Sequence, residues 1–303
     1  MRGKQPSVHI LIVNWNGKHH LENCLPSLTK SPYLNCQVVI LDNGSDDGSQ
    51  DWVRSSFPAI KLVEINQNLG FATANNLGMR AALESGADYV ALLNNDTRVE
   101  PDWLDVLVDT AETDSNIAIC QARQRTWDGQ AEIRFRFIPE WAEAQAYKIA
   151  VQSPGPATPT AFASGCAILI RSHALKEIGL FDERYFMYVE DVDLALRAWI
   201  AGYKVMDVPA STVYHQVAGS GSQKAQRLFW GYRNQLTTIL KLYQLETLCS
   251  YTKPIVRRWL RNRYALRPVL ASLQILPGTL TRRQQVQRNR KVPDARFLEL
   301  CRL

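Results

Sequence analysis

Long apolar runs are missing from this sequence. None approaches the roughly 18–20 residues that cross a bilayer. The longest, at residues 10–13, 38–41 and 90–93, have strand length. The start is basic at Arg2 and Lys4, but no apolar signal core follows, so secretion is not expected. Paired cysteine motifs are absent too. The six cysteines, Cys24, Cys36, Cys120, Cys166, Cys249 and Cys301, form no C-x-x-C pair and no zinc or disulfide framework. A reduced compartment, the cytoplasm, is the expectation. Neither a G-x-G-x-x-G loop nor a Walker P-loop follows the first strand, which excludes those two phosphate cradles.

What is present suffices for a large folded domain: 303 residues, of which 46% are hydrophobic. The net charge of +6 is unevenly spread. Residues 251–303 hold 13 Lys and Arg against 2 Asp and Glu, a balance of +11. The remaining 22 and 27 leave the first 250 residues at −5. A mildly acidic body with a basic tail points to an anionic partner for the tail rather than to a basic active site.

Short apolar runs at residues 8–13, 37–41, 60–65, 89–93 and 117–120 alternate with helical patterns at 21–28, 49–56, 72–84 and 101–110. The runs are apolar throughout, as in strands covered on both faces. This rhythm predicts an α/β fold with a mostly parallel, Rossmann-like sheet and right-handed crossovers. Residues 121–160 break the rhythm and are expected to cover the sheet edge and face an acceptor. Strands are predicted at 167–170, 204–208 and 212–215, and helices at 190–200 and 228–243. Beyond Lys253, arginines interleave with Trp259, Leu260, Tyr264, Leu266 and Leu270. That pattern predicts a basic amphipathic helix, kinked at Pro268 and stopped at Pro277-Gly278, with partial disorder over 281–291.

In open parallel sheets, ligands sit beyond the carboxyl ends of the strands. Four strand ends carry polar groups there: Val13-Asn14, Asp42-Asn43, Asn68-Leu69-Gly70 and Asn94-Asn95-Asp96. Asp96 is a hard oxygen ligand suited to Mg²⁺ or Mn²⁺ bridged to a diphosphate, though a turn rich in Asn and Asp explains it equally well. Asp42 can bond a base or ribose, or simply close an Asx turn. Asn68 and Gly70 make a tight turn before a helix, facing phosphate or only capping. A second cluster, Phe186-Met187-Tyr188-Val189-Glu190-Asp191-Val192-Asp193, sets acids at a helix start behind aromatic residues. Macrodipole complementarity explains the acids but not the aromatics. A carboxylate partly dried by aromatic neighbours can take a proton from an attacking hydroxyl. His215 precedes a glycine–serine loop with Lys224 and Arg227 behind it, which suits closure over a diphosphate.

These motifs, in this order, resemble glycosyltransferase family 2 and its rhamnosyltransferase-like members over roughly residues 6–245. Val13-Asn14-Trp15-Asn16-Gly17, the Leu-Asp-Asn-Gly-Ser stretch at 41–45, Asn68-Leu69-Gly70-Phe71 and the Leu-Leu-Asn-Asn-Asp-Thr stretch at 92–97 carry the likeness. So do Glu190-Asp191-Val192-Asp193 and His215. The resemblance implies a GT-A fold, inversion at the anomeric carbon, a divalent cofactor (Mn²⁺ or Mg²⁺) and a nucleoside-diphosphate sugar donor, with rhamnose as the suggested sugar. It implies donor contacts from Val13, Asn14, Asp42, Asn68, Gly70, Asn75, Asn94 and Asn95. Asn94 replaces the first acid of the family's D-x-D motif, leaving Asp96, with His215, for the metal. Asp191 is implied as general base, with Glu190 and Tyr188 binding acceptor. Residues 1–250 would form the GT-A domain, with a nucleotide-binding half at 1–120 and an acceptor-binding half at 121–250. Residues 251–303 would be a basic helical extension.

The expected acceptor is a glycan or a lipid-linked sugar, in cell-surface polysaccharide or glycolipid synthesis. Two other functions fit less of the pattern. A non-catalytic nucleotide-sugar binding protein does not need both Asp96 and the Glu190–Asp191 pair. A sugar nucleotidyltransferase wants glycines that Asn14-Trp15-Asn16-Gly17-Lys18 lacks. For the tail, peripheral contact with an anionic inner leaflet and packing on its own domain are equally favoured; nucleic acid is not.

Overall fold

The computed structural model describes residues 5–216, 224–261 and 266–301. One mixed sheet organises them. Strands β1 (Val8–Asn14), β2 (Cys36–Asp42), β3 (Lys61–Glu64) and β4 (Tyr89–Leu93) alternate with helices α1 (Lys18–Leu28), α2 (Ser49–Ser56) and α3 (Gly70–Glu84). These four strands lie parallel in the order β3-β2-β1-β4. β1 shows why the runs are unbroken: Val8, Ile10 and Ile12 enter one core, while Leu11 enters the other. Burial on both faces removes the period-two alternation.

After β4 the topology changes. β5 (Thr97–Val99) leads to α4 (Trp103–Glu112) and then β6 (Ile117–Thr126). A hairpin, β7 (Ala131–Ile138) and β8 (Glu143–Ala150), pairs through β7 with β6. β9 (Thr158–Pro159) precedes β10 (Ala167–Arg171), which runs antiparallel between β4 and β6. The parallel expectation therefore holds through β4 and fails at β10. That strand is reached from a hairpin rather than from a crossover helix, so its direction reverses.

α5 (Ser172–Ile178) and α6 (Glu190–Ile200) follow, then β11 (Lys204–His215). The two strands expected at 204–208 and 212–215 are one strand, interrupted by a register shift between Val208 and Thr212. The carboxyl-terminal part is helical: α7 (Lys224–Leu242), α8 (Leu245–Leu260), α9 (Leu266–Gln274), α10 (Leu276–Arg288) and α11 (Ala295–Leu298). The boundary expected at 250 falls inside α8.

Two expectations about this tail are corrected. Pro277 opens α10 at its first turn instead of stopping a helix. Residues 281–288 are helical, not disordered, because their polar side chains have partners. Arg283 donates to Leu240 O and Tyr243 O at 2.8 and 2.6 Å, and Gln287 to Leu242 O at 2.8 Å. They satisfy the last carbonyls of α7, which that helix leaves unpaired. Among the described residues, no helix is long and apolar enough to cross a membrane.

Candidate active site

The carboxyl ends of β1 and β4, the β7–β8 hairpin, the turn before α6, the end of β11 and α7 enclose a cavity of about 710 Å³. That lies within the usual range for small-molecule sites. Val13, Asn94, Asn95, Asp96, Tyr188, Glu190, Asp191 and His215 all line it. Positions 96 and 191, distant in sequence, thus share one cleft.

Asp96 follows β4, where Asn94 N donates to Cys166 O at 2.8 Å and fixes the strand end. Its Oδ1 lies 3.3 Å from His215 Nε2. His215 Nδ1 is 3.1 Å from the Gln124 amide oxygen, so Nδ1 carries a proton and Nε2 faces Asp96. Burial opposes charge on His215, but the neighbouring Cys166 and Asp96 outweigh it and raise its pKa. Burial also pushes the Cys166 thiol up. Asp96 Oδ1 is otherwise buried without a hydrogen-bond partner. An orphaned carboxylate oxygen beside an oriented imidazole would suit a divalent cation. Among the described residues no cluster of three or more acids, histidines or cysteines could hold a metal. Asp96 and His215 would supply two ligands, leaving the rest to phosphate and water, as hard cations accept.

The acid pair is set by backbone strain. Tyr188 and Val189 both have positive φ, 69° and 72°, immediately before α6. Such non-glycine conformations cost about 1–3 kcal/mol each and persist only when their surroundings impose them. Asn234 imposes them here: its Nδ2 donates to Met187 O and Tyr188 O at 3.0 and 2.8 Å. Asp191 Oδ2 then accepts from Gly165 N at 3.0 Å, and Oδ1 from Val192 N at 2.8 Å. Burial raises the Asp191 pKa, opposed by those two N–H groups. Glu190 is pushed well above its ordinary value by burial and then by the Asp191 charge. Its Oε2 is buried without a partner. The pair therefore keeps its proton on Glu190 and its charge on Asp191, where N–H donors receive it.

The other expected donor residues do not line the cavity. They lie behind the residues that form its floor. Asp42 is 1% exposed, with all four acceptor directions taken: Ser45 N and Gln50 Nε2 on Oδ1, Asn14 Nδ2 and Ser49 Oγ on Oδ2. Asn14 passes this order on, accepting from Asn95 Nδ2 at 2.9 Å. Asn68 Oδ1 accepts from Gly70 N at 2.9 Å and Asn43 Nδ2 at 3.0 Å. Asn75 bonds back to Phe71 O at 3.0 Å. Gly70 has φ 81°, and a Cβ there would stand 2.3 Å from Phe186 O. Its lack of a side chain lets α3 approach the turn that carries Tyr188.

Sequence reasoning missed Asn234, Gly165, Gln124 and His20. His20 lies on α1, near enough for Asp96 and His215 to shift its pKa, which burial and His19 lower. Nothing in the local pattern marked these four, since their partners in the site are 26 or more positions away.

Residues 9–179 match the profile of glycosyl transferase family 2. The chain is a family 2 glycosyltransferase. This glycosyltransferase is 31% identical over 236 residues to N-acetylglucosaminyl-diphospho-decaprenol L-rhamnosyltransferase of Mycobacterium tuberculosis (strain ATCC 25618 / H37Rv), covering 70% of this chain and 76% of the relative. It is 24% identical over 193 residues to a low-salt glycan biosynthesis hexosyltransferase of Haloferax volcanii, covering 62% and 60%. Among solved structures, GalNAc-T7 with UDP, GalNAc and Mn²⁺ superposes with a TM-score of 0.67 at 15% identity, over 90% of this chain and 55% of that one. The mannosyltransferase PcManGT of Pyrobaculum calidifontis, with GDP-Man and Mn²⁺, gives 0.58 at 17%, over 94% and 86%. The fold is GT-A.

Proposed function

We propose that this glycosyltransferase transfers a sugar, rhamnose by analogy with its Mycobacterium relative, from a nucleoside diphosphate to a hydroxyl of a lipid-linked acceptor, with inversion. One observation carries the reading: Asp96 with His215, and Asp191 with Glu190, line a single cavity. Asp191 takes the proton of the acceptor hydroxyl on its carboxylate oxygen. The acceptor oxygen bonds to the anomeric carbon from the face opposite the departing phosphate, and the carbon–oxygen bond to the nucleoside diphosphate breaks. A divalent cation held by Asp96 and His215 would neutralise charge on the leaving diphosphate. Glu190, keeping its proton, donates to an acceptor oxygen, and Tyr188 packs against the acceptor. Val13, Asn94 and Asn95 flank the donor. Asn14, Asp42, Asn68, Gly70 and Asn75 hold that floor in shape.

The product links the entering sugar to the acceptor in one displacement, so no second carboxylate nucleophile is required. A labelled-donor assay tests the reading. Incubation with thymidine or uridine diphosphate sugars, Mn²⁺ and a glycolipid acceptor should give a labelled lipid-extractable product. Tight nucleotide binding with neither transfer nor hydrolysis would favour the binding-protein alternative.

The acceptor class agrees with the surface of the tail. Leu266, Leu270 and Leu273, at i, i+4 and i+7 of α9, are exposed, while Pro268 and Ser272 face inward. This leucine row on a segment of charge +11 suits peripheral contact with an anionic membrane.

A further inference from the structure

The cavity has a cationic wall that the chemistry at Asp96 and Asp191 leaves unused. Arg258 stands on α8, in the basic carboxyl-terminal segment, and lines the same cavity. Its Cζ lies 4.0 Å from the Trp141 ring centre and 4.9 Å from that of Tyr232. Arg258 Nη2 forms an ion pair with Glu143 Oε2 at 2.8 Å, with the arginine side chain 20% exposed. Nη1 is buried and has no hydrogen-bond partner. Arg227, exposed on α7, brings a second cation to the cavity.

A guanidinium offers five N–H donors in a rigid fork, and a carboxylate on one edge leaves the rest free. Two aromatic rings fix its plane, so little side-chain freedom is lost when an anion binds. An unmatched buried N–H group is destabilising, a cost that a plain surface ion pair with Glu143 would not incur. The arrangement gains its purpose if an oxyanion completes the fork. A phosphate reaching the partly exposed guanidinium would gain charge-assisted N–H bonds from it. Glu143 is the acid that orients Arg258.

We propose that Arg258 binds a phosphate of the acceptor, so that the carboxyl-terminal segment selects a sugar carried on a lipid phosphate over the same sugar without one. The inference rests on the transferase reading above. Two anionic groups, donor and acceptor diphosphates, need separate cationic subsites in one cavity. Asp96 and His215 with their cation serve the first, and Arg258 serves the second.

Kinetics with two acceptors test this: a short-chain prenyl diphosphate carrying one N-acetylhexosamine, and the octyl glycoside of that sugar. The full chain should show a higher kcat/KM for the diphosphate. In Arg258→Gln the ratio of the two kcat/KM values should fall by about 10–100-fold, through KM for the diphosphate acceptor. Arg258→Lys should restore part of it and serves as the test variant if the glutamine form is unstable. Thermal stabilisation by nucleoside diphosphate with Mn²⁺ should match wild type in both. An unchanged ratio overturns the proposal, as does loss of nucleotide-dependent stabilisation, which would assign Arg258 to the donor. Nucleotide binding by wild type with transfer to neither acceptor overturns the transferase reading itself.

Discussion

At the residue scale the proposed chemistry rests on the acid pair that opens α6, Glu190 and Asp191. Asp191 is lifted by burial yet held ionised by Gly165 N and Val192 N, a combination suited to a base working near neutrality. Asp191→Asn should lower kcat by about 10²–10⁴-fold, the usual worth of general-base help, with nucleotide affinity nearly intact. Single-turnover transfer alongside calorimetric titration of the nucleotide separates the two effects. Full turnover by this variant would remove Asp191 from the base role. Asp96→Ala should instead abolish the Mn²⁺-dependent part of nucleotide binding, read by the same titration with and without chelator. The pH profile follows from the direction of the Asp191 shift. The base works only when deprotonated, and its pKa lies above the ordinary carboxylate value. The acid limb of kcat/KM should therefore sit above pH 4, and activity should rise as pH climbs through it. A flat profile down to pH 4 would contradict this.

At the element scale the turn into α6 is held from two sides. Gly70 allows α3 to meet Phe186 O, and Asn234 on α7 bonds the strained carbonyls. Gly70→Ala faces both a positive φ and a contact that backbone cannot yield. It should cost kcat and thermal stability together, and circular-dichroism melting beside the assay measures both. Below the turn, Asp182 (1% exposed) accepts from Lys241 at 2.8 Å and Arg184 at 2.6 Å, with Arg282 at 2.8 Å. Burial raises its pKa, but these cations outweigh it and hold the group below its ordinary value. A depressed carboxylate stabilises the fold above its unfolded pKa, near 3.9, and that contribution disappears as pH falls below it. Asp182→Asn should lose about 1–3 kcal/mol at pH 7, because buried Lys241 keeps its second carboxylate, Asp193, while Arg184 and Arg282 are partly exposed. Its stability should also depend less on pH below about 5 in urea melts. An unchanged slope there would show that another carboxylate controls the acid limb.

At the scale of the whole molecule the basic segment belongs to the body on one side and to solvent on the other. Arg283, Gln287 and Arg290 tie α10 and its end to the last turn of α7, while Leu266, Leu270 and Leu273 face outward. The full chain should float with vesicles containing anionic phospholipid and stay behind with neutral ones. Replacing the three leucines by serine should abolish flotation without shifting the melting temperature by more than a few degrees. Equal flotation of the variant would end the membrane reading of this face. These substitutions are preferred to truncation at 250, which would cut through α8 and remove Arg258.

The succession of strands β1 to β4 along the chain, the helices between them and the polar strand ends were legible in the sequence, because burial on both faces writes apolar runs and turns write Asn, Asp and Gly. The placement of Asp96, Asp191 and His215 at element ends was legible too, and the fold brings the three to one cavity. The antiparallel β10, the hairpin, the helical 281–288 and the supports Asn234, Gly165 and Gln124 were not. Each depends on a partner distant along the chain, and local pattern carries no record of which distant carbonyl or strand a side chain will meet. The roles of Asp42 and Gly70 in the present fold also came from tertiary structure alone. A carboxylate reads the same whether its four acceptor sites face solvent or are filled, and a glycine reads the same whether or not another backbone presses against it.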